Sequence, residues 1–198
     1  MFVLGLTGSI ASGKSTAATV FAEMGAAVFD ADRAVHALYA GEAASRIETS
    51  FPGVTKDGVV DRAALGARVA GDEAALAALE AIVHPLVRAA ENAFRAGAPA
   101  DGRRVIVLDI PLLLETGGEK RVDAVVVVTA PEAILRERAL RRPGMTKARY
   151  DGLLARQMPD AEKRKRAHFI IDTSRAFDAT RKQIADVMRA IAGMAAGR

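Results

Sequence analysis

Residues Gly8–Thr16 read G-S-I-A-S-G-K-S-T and fit the pattern G-x-x-x-x-G-K-[ST]. An apolar run, Phe2–Thr7, leads into them without a gap, and helical spacing continues from them to Met24. Strand, glycine-flanked loop and helix in that order make a phosphate cradle. Glycines let backbone N–H groups turn inward where a Cβ would block them. Lys14 is placed to reach the β- and γ-phosphates, and the Ser15 hydroxyl to hold Mg²⁺. The helix beginning there points its positive end at the same charge. A chain built on this loop is constrained to a strand–loop–helix core.

The remaining pattern agrees with such a core. Ala26–Phe29 reads as a second strand and Arg33–Tyr39 as a helix after it. Strand signals stop between Gly41 and Gly97, where the chain is alanine-rich and helical, broken at Phe51-Pro-Gly53 and Lys56-Asp-Gly58. Asp61 and Asp72 are placed as N-caps of the helices that follow them. His84 precedes Pro85, which sets it at a kink or a new helix start. Arg104–Asp109, Val122–Thr129 and Phe169–Asp172 read as further strands, the valine run of the second implying burial on both faces. Helices are expected over 131–141, 146–157 and 177–192. Alternating strands and helices predict an α/β fold with a parallel sheet and a helical insertion.

Composition narrows the setting. The 198 residues are 51% hydrophobic, enough for one sizeable core. There is no cysteine, hence no disulfide, thiolate metal site or thiol nucleophile. No targeting leader or membrane-length apolar run is visible, so a soluble, cytoplasmic protein without membrane partners is expected. The net charge of +4 suits either nucleic acid or a polyanionic small molecule. With no tryptophan and few aromatics, a base-stacking binder is disfavoured. Lys163-Arg-Lys-Arg166 reads as a solvated helix face rather than a nucleic-acid patch.

Three groups carry chemistry besides the loop. Asp109 ends a hydrophobic strand, where such folds support Mg²⁺ or its waters. Asp30 and Asp32 follow the second strand, and Asp32 is a candidate to take a proton from an attacking hydroxyl, as well as being placed to cap the next helix. Arg136, Arg138, Arg141 and Arg142 crowd a helix end before Pro143-Gly144, with Arg138 and Arg142 four apart on one face. Such guanidinium charge suits a transferring phosphoryl group.

Taken in order, Gly8–Thr16, Asp30-Ala-Asp32, Asp61-Arg62, His84-Pro85, Asp109-Ile-Pro-Leu-Leu-Leu-Glu115 and Arg138…Arg142 resemble the dephospho-CoA kinase family, from Leu4 to about Ser174. The resemblance implies a five-stranded P-loop NTPase-type parallel sheet (residues 1–34 and 98–198, with a lid at about 138–156) and a helical substrate-binding insertion (35–97). It implies transfer of the ATP γ-phosphate, with Mg²⁺, to the 3′-hydroxyl of dephospho-CoA. Gly8, Ala11, Ser12, Gly13, Lys14, Ser15 and Thr16 would bind ATP, Ser15 and Asp109 the metal. Thr7 and Asp32 would lie at the reacting groups, Lys14 with Arg142 or Arg138 at the phosphoryl group. Asp30, His84, Leu112, Leu113 and Glu115 would lie near the acceptor. Two departures stand out: Ser9 and Ala11 replace glycines common in the family's loop, and His168 and Thr173 replace residues of its usual A-D-x-x-I-x-N string.

Rival readings remain open on sequence. Another small-molecule kinase, of nucleoside or nucleotide type, would use the same loop and cluster. A nucleic-acid-binding ATPase would explain the positive charge, and a nucleotide-dependent interaction module would need no turnover. No N-K-x-D string supports guanine recognition. A monomer is expected.

Overall fold

The computed structural model describes residues 1–196. Strands β1 (Phe2–Gly8), β2 (Ala27–Asp30), β5 (Val105–Asp109), β6 (Ala124–Thr129) and β7 (Phe169–Asp172) form a parallel sheet in the order β2-β5-β1-β6-β7. The central strand is β1: Leu4 lies opposite Val107 on one side and Ala124 on the other. Period-two alternation sends the side chains of each strand to opposite faces. Phe2, Leu4 and Leu6, with Val126 and Val128, pack against Val20 and Phe21 of α1 (Lys14–Glu23) and Ile184 and Ile191 of α9 (Phe177–Ala196). Val125 and Val127 face the other way, against Leu113 and Leu114. The valine run is therefore buried on both faces.

The chain divides into two compact units, 1–29 with 98–198, and 30–97. The second holds α2 (Ala31–Tyr39), α3 (Glu42–Ser50), α4 (Arg62–Val69) and α5 (Glu73–Gly97) around Ile47, Phe51, Leu65, Leu79, Val83 and Leu86. It also holds a hairpin, β3 (Thr55–Lys56) with β4 (Val59–Val60), in the stretch expected to lack strands. Asp57 and Gly58 turn it with φ of 52° and 78°. These are the two positive values a tight hairpin turn requires, and Asp-Gly is its usual spelling.

Three local expectations change. Helix α5 runs unbroken through Pro85, so His84 sits on an exposed helix surface rather than at a new helix start. Asp30, not Asp32, caps α2, accepting the Arg33 N–H at 2.9 Å. The helix expected over 146–157 stops at Leu154 as α7 (Lys147–Leu154), and a separate helix, α8 (Asp160–Arg166), starts after Met158-Pro159. Of the arginine cluster, Arg136 and Arg138 lie on α6 (Glu132–Leu140), while Arg141 and Arg142 follow it in the turn before α7. The caps at Asp61 and Asp72 form as expected, through the Ala64 and Ala75 N–H groups at 3.1 and 2.9 Å.

Candidate active site

The loop after β1 needs glycine at its first position. A Cβ on Gly8 would stand 2.5 Å from the Val128 carbonyl oxygen and 2.6 Å from Ser12 Oγ. Gly13, at φ 85°, turns the chain into α1. No side chain caps that helix and no acid stands in its first turn, so its leading N–H groups are left for an anion. The Ser12 hydroxyl is buried and makes no hydrogen bond within the described residues. Ser15 and Thr16 are exposed beside it.

Asp109, buried at the end of β5, forms an ion pair with Lys14. Strand and loop thereby bring together the two residues that the sequence marks for phosphate and metal. Thr7 is fully buried and donates to the Pro111 carbonyl at 2.9 Å, tying the end of β1 to the turn after β5. In that turn Leu112 is exposed, while Leu113 is fully buried under the sheet. Glu115 turns inward. Its Oε1 accepts the Met158 N–H at 2.8 Å and lies 2.9 Å from Lys163 Nζ. The ammonium sits off the hydrogen-bond axis, and Glu115 Oε2 is also buried without a hydrogen bond within the described residues. Lys163 is fully buried, which corrects its reading as part of a solvated face. Lys165 pairs with Glu162 and Arg166 with Glu119, so three of the four cations in that run meet carboxylates within the fold.

The arginines divide. Arg138 donates to the Thr173 hydroxyl and carbonyl at 2.9 and 2.7 Å. Thr173 in turn donates to the Ser12 carbonyl at 2.8 Å, so this arginine is linked to the phosphate loop through one hydroxyl. Arg141 pairs with Glu137 on the surface, and Arg142 stands exposed before the turn at Gly144. His168 is structural: its Nδ1 accepts the Val125 N–H at 3.1 Å.

In the helical unit, Asp32 is exposed in the first turn of α2 and lines a cavity of about 500 Å³ with His36, Tyr39 and Arg62. Burial raises the Tyr39 phenol above its usual range, against an opposing pull from Arg62. In the sequence Asp61-Arg62 marks a helix start and one of the strings shared with the family, without a site role for Arg62, and the arginine's reach toward Asp32's cavity has no periodic signature. A second cavity, about 660 Å³, lies in the sheet unit against Ser9, Tyr150, Gln157 and Asp160. Desolvation, reinforced by Glu132, raises the Tyr150 phenol there. No helix among the described residues is long and apolar enough to cross a membrane.

Residues 2–178 match the family model described as CoaE, dephospho-CoA kinase. The dephospho-CoA kinase of Mesorhizobium japonicum is 57% identical over 193 residues, covering 98% of each chain. Among solved structures, a Thermus thermophilus protein superposes with a TM-score of 0.83 at 33% identity, covering 96% of each chain. A dephospho-CoA kinase from Campylobacter jejuni gives a TM-score of 0.66 at 25% identity, again with 96% of each chain covered.

Proposed function

This chain belongs to the dephospho-CoA kinase family, and we propose that its two units divide the work, residues 8–16 holding ATP and the helical unit holding the acceptor. The enzyme transfers the terminal phosphoryl group of ATP to the ribose 3′-hydroxyl of dephospho-CoA, the last step of coenzyme A synthesis. The observation that supports the nucleotide half best is a full phosphate loop ahead of a helix whose N-terminus no side chain caps.

Asp32 takes the proton of the 3′-hydroxyl as that oxygen bonds to the γ-phosphorus and the bridge to the β-phosphate breaks, releasing ADP. Lys14 leaves Asp109 for the phosphates, and the exposed Arg142 offers the charge that meets the transferring group. Arg138, held by Thr173, supports the loop and the nucleotide side. Arg62 and Tyr39 line a cavity with Asp32 in the helical unit, on the acceptor side, and Asp30, His84 and Leu112 are the further acceptor residues that the family resemblance implies. Thr7, Leu113 and Glu115 act by fixing the turn after β5.

The donors fit a magnesium ion that arrives with the nucleotide. The Ser15 hydroxyl and Asp109 carboxylate are hard oxygens, and this ion keeps waters and phosphate oxygens as most of its ligands. No cluster of three or more acids, histidines or cysteines that could hold a metal by itself exists among the described residues. When bound, the ion supplies charge neutralisation between the phosphates. We place the enzyme in the cytoplasm as a monomer without nucleic-acid partners, which fits the internal pairing of the basic run in α8.

The test is ADP release from Mg²⁺-ATP against dephospho-CoA, adenosine, AMP, pantetheine and single-stranded RNA. Release with dephospho-CoA alone is expected. Release with another acceptor instead would remove the substrate assignment and keep the phosphoryl chemistry.

A further inference from the structure

The ATP loop of this chain carries side chains at two positions where glycine would give it freedom, and one of them is strained. Ala11 sits at φ 62°, in the left-handed region. An L-residue is disfavoured there by clash of its Cβ with the following carbonyl. Ala11 is buried against Ala139 and Tyr150. The two residues that precede it are held from outside the loop. The Ile10 N–H donates to Gln157 Oε1 at 3.1 Å, and the Ser9 hydroxyl donates to Asp160 Oδ1 at 3.2 Å. The Asp160 carboxylate also accepts from the Thr129 hydroxyl, 2.8 Å from both oxygens, at the end of β6. The segment that supplies these acceptors is itself anchored, since Met158 N–H donates to Glu115. Every contact lies within the sheet unit.

We propose that Gln157 and Asp160 are positioning residues for ATP, forming an external brace that keeps the Ser9–Ala11 turn in its phosphate-binding shape before nucleotide arrives. The physical logic is preorganisation. The loop binds phosphate only when its N–H groups converge, and ordering them at the moment of binding subtracts from affinity. A glycine-rich loop reaches that shape without strain. Here the strained alanine is carried by packing on one side and two side-chain acceptors on the other. Neither acceptor needs to touch the nucleotide. Without the brace, Ala11 relaxes out of the left-handed region and the cradle opens. The acceptor is held by other residues, so its binding is indifferent to the change. The inference rests on the reading of residues 8–16 as the ATP cradle.

The test combines calorimetric binding of Mg²⁺ with a non-hydrolysable ATP analogue and steady-state KM values for both substrates. Gln157→Met keeps size and removes the acceptor; Asp160→Ala removes the carboxylate; Asp160→Asn keeps one accepting oxygen. Gln157→Met and Asp160→Ala are expected to weaken analogue binding and raise the KM for ATP about fivefold to thirtyfold, the equivalent of one or two hydrogen bonds. The KM for dephospho-CoA should stay within about twofold, and Asp160→Asn should restore most of the affinity. In an Ala11→Gly background the effect of Gln157→Met should shrink, because the strain the brace opposes is gone. Unchanged analogue affinity in Gln157→Met would overturn the proposal, as would parallel rises in both KM values or full additivity with Ala11→Gly. A wild-type enzyme that binds the analogue but phosphorylates no dephospho-CoA would instead sink the functional reading and leave the brace testable by binding alone.

Discussion

Lys163 offers the sharpest energetic test of how the sheet unit is held together. It lies fully buried, 2.9 Å from Glu115, whose own side chain is 15% exposed. Replacing Lys163 with methionine keeps the length and apolar stem and removes the charge. It strands a carboxylate whose Oε2 already lacks a hydrogen bond within the described residues. Removing one partner of a buried ion pair costs about 3–5 kcal/mol, because the remaining charge keeps its desolvation penalty. For a chain of this size each kcal/mol lowers Tm by about 2–4 °C, so Lys163→Met should lose roughly 6–20 °C. Glu115→Gln added to it removes the orphaned charge yet leaves an oxygen for the Met158 N–H, and should recover most of that loss. Arg141→Ala, which breaks the exposed pair with Glu137, sets the baseline at about 1 kcal/mol or less. Thermal and urea unfolding of all three variants would decide. A Lys163→Met loss no larger than the Arg141→Ala loss, or a double variant no better than the single, would refute the argument.

Other outcomes follow from the same geometry. Lys14→Ala should lower the transfer rate about 100-fold or more, as removal of one transition-state donor does, measured as kcat for ADP release. Asp32→Asn should lower kcat by about 100-fold to 10,000-fold with ATP-analogue binding intact by calorimetry; near-wild-type turnover would end its assignment as base. Stability should fall in acid, because backbone N–H donors hold Glu48 and Asp172, and Lys56 with backbone donors holds Asp61, below the ordinary carboxylate range. Depressed folded values mean the contribution is complete above the unfolded pKa of about 4 and fades as pH falls through the folded ones. Urea midpoints at pH 7, 4.5 and 3 check this, and Asp172→Asn should flatten the acid limb.

Much of the architecture was legible because it rests on local rules. The loop declares itself by glycine spacing, the doubly buried β6 by its valines, and the caps at Asp61 and Asp72 by their place before helical runs. What escaped depends on partners far away in sequence. Lys163 sits in a run that looks solvated, and only Glu115, 48 positions earlier, makes its burial tolerable. Gln157 and Asp160 look like ordinary surface residues until Ile10 and Ser9 are brought to them. Pro85 should end a helix by its own chemistry, yet α5 continues past it with Val83 and Leu86 in the helical core. Asp30 rather than Asp32 became the cap because α2 starts at Ala31, directly after β2 and two residues before the start expected at Arg33.

The central claim, transfer to one particular hydroxyl, is tested most directly by the position of the new phosphate. Wild-type enzyme would be run with Mg²⁺-ATP and dephospho-CoA, and the product examined by proton-coupled ³¹P NMR. The account predicts one new phosphomonoester signal coupled to the ribose H3′, in a product that co-migrates with coenzyme A. A phosphomonoester coupled to H2′, or ADP formed with no phosphorylated acceptor at all, would contradict it.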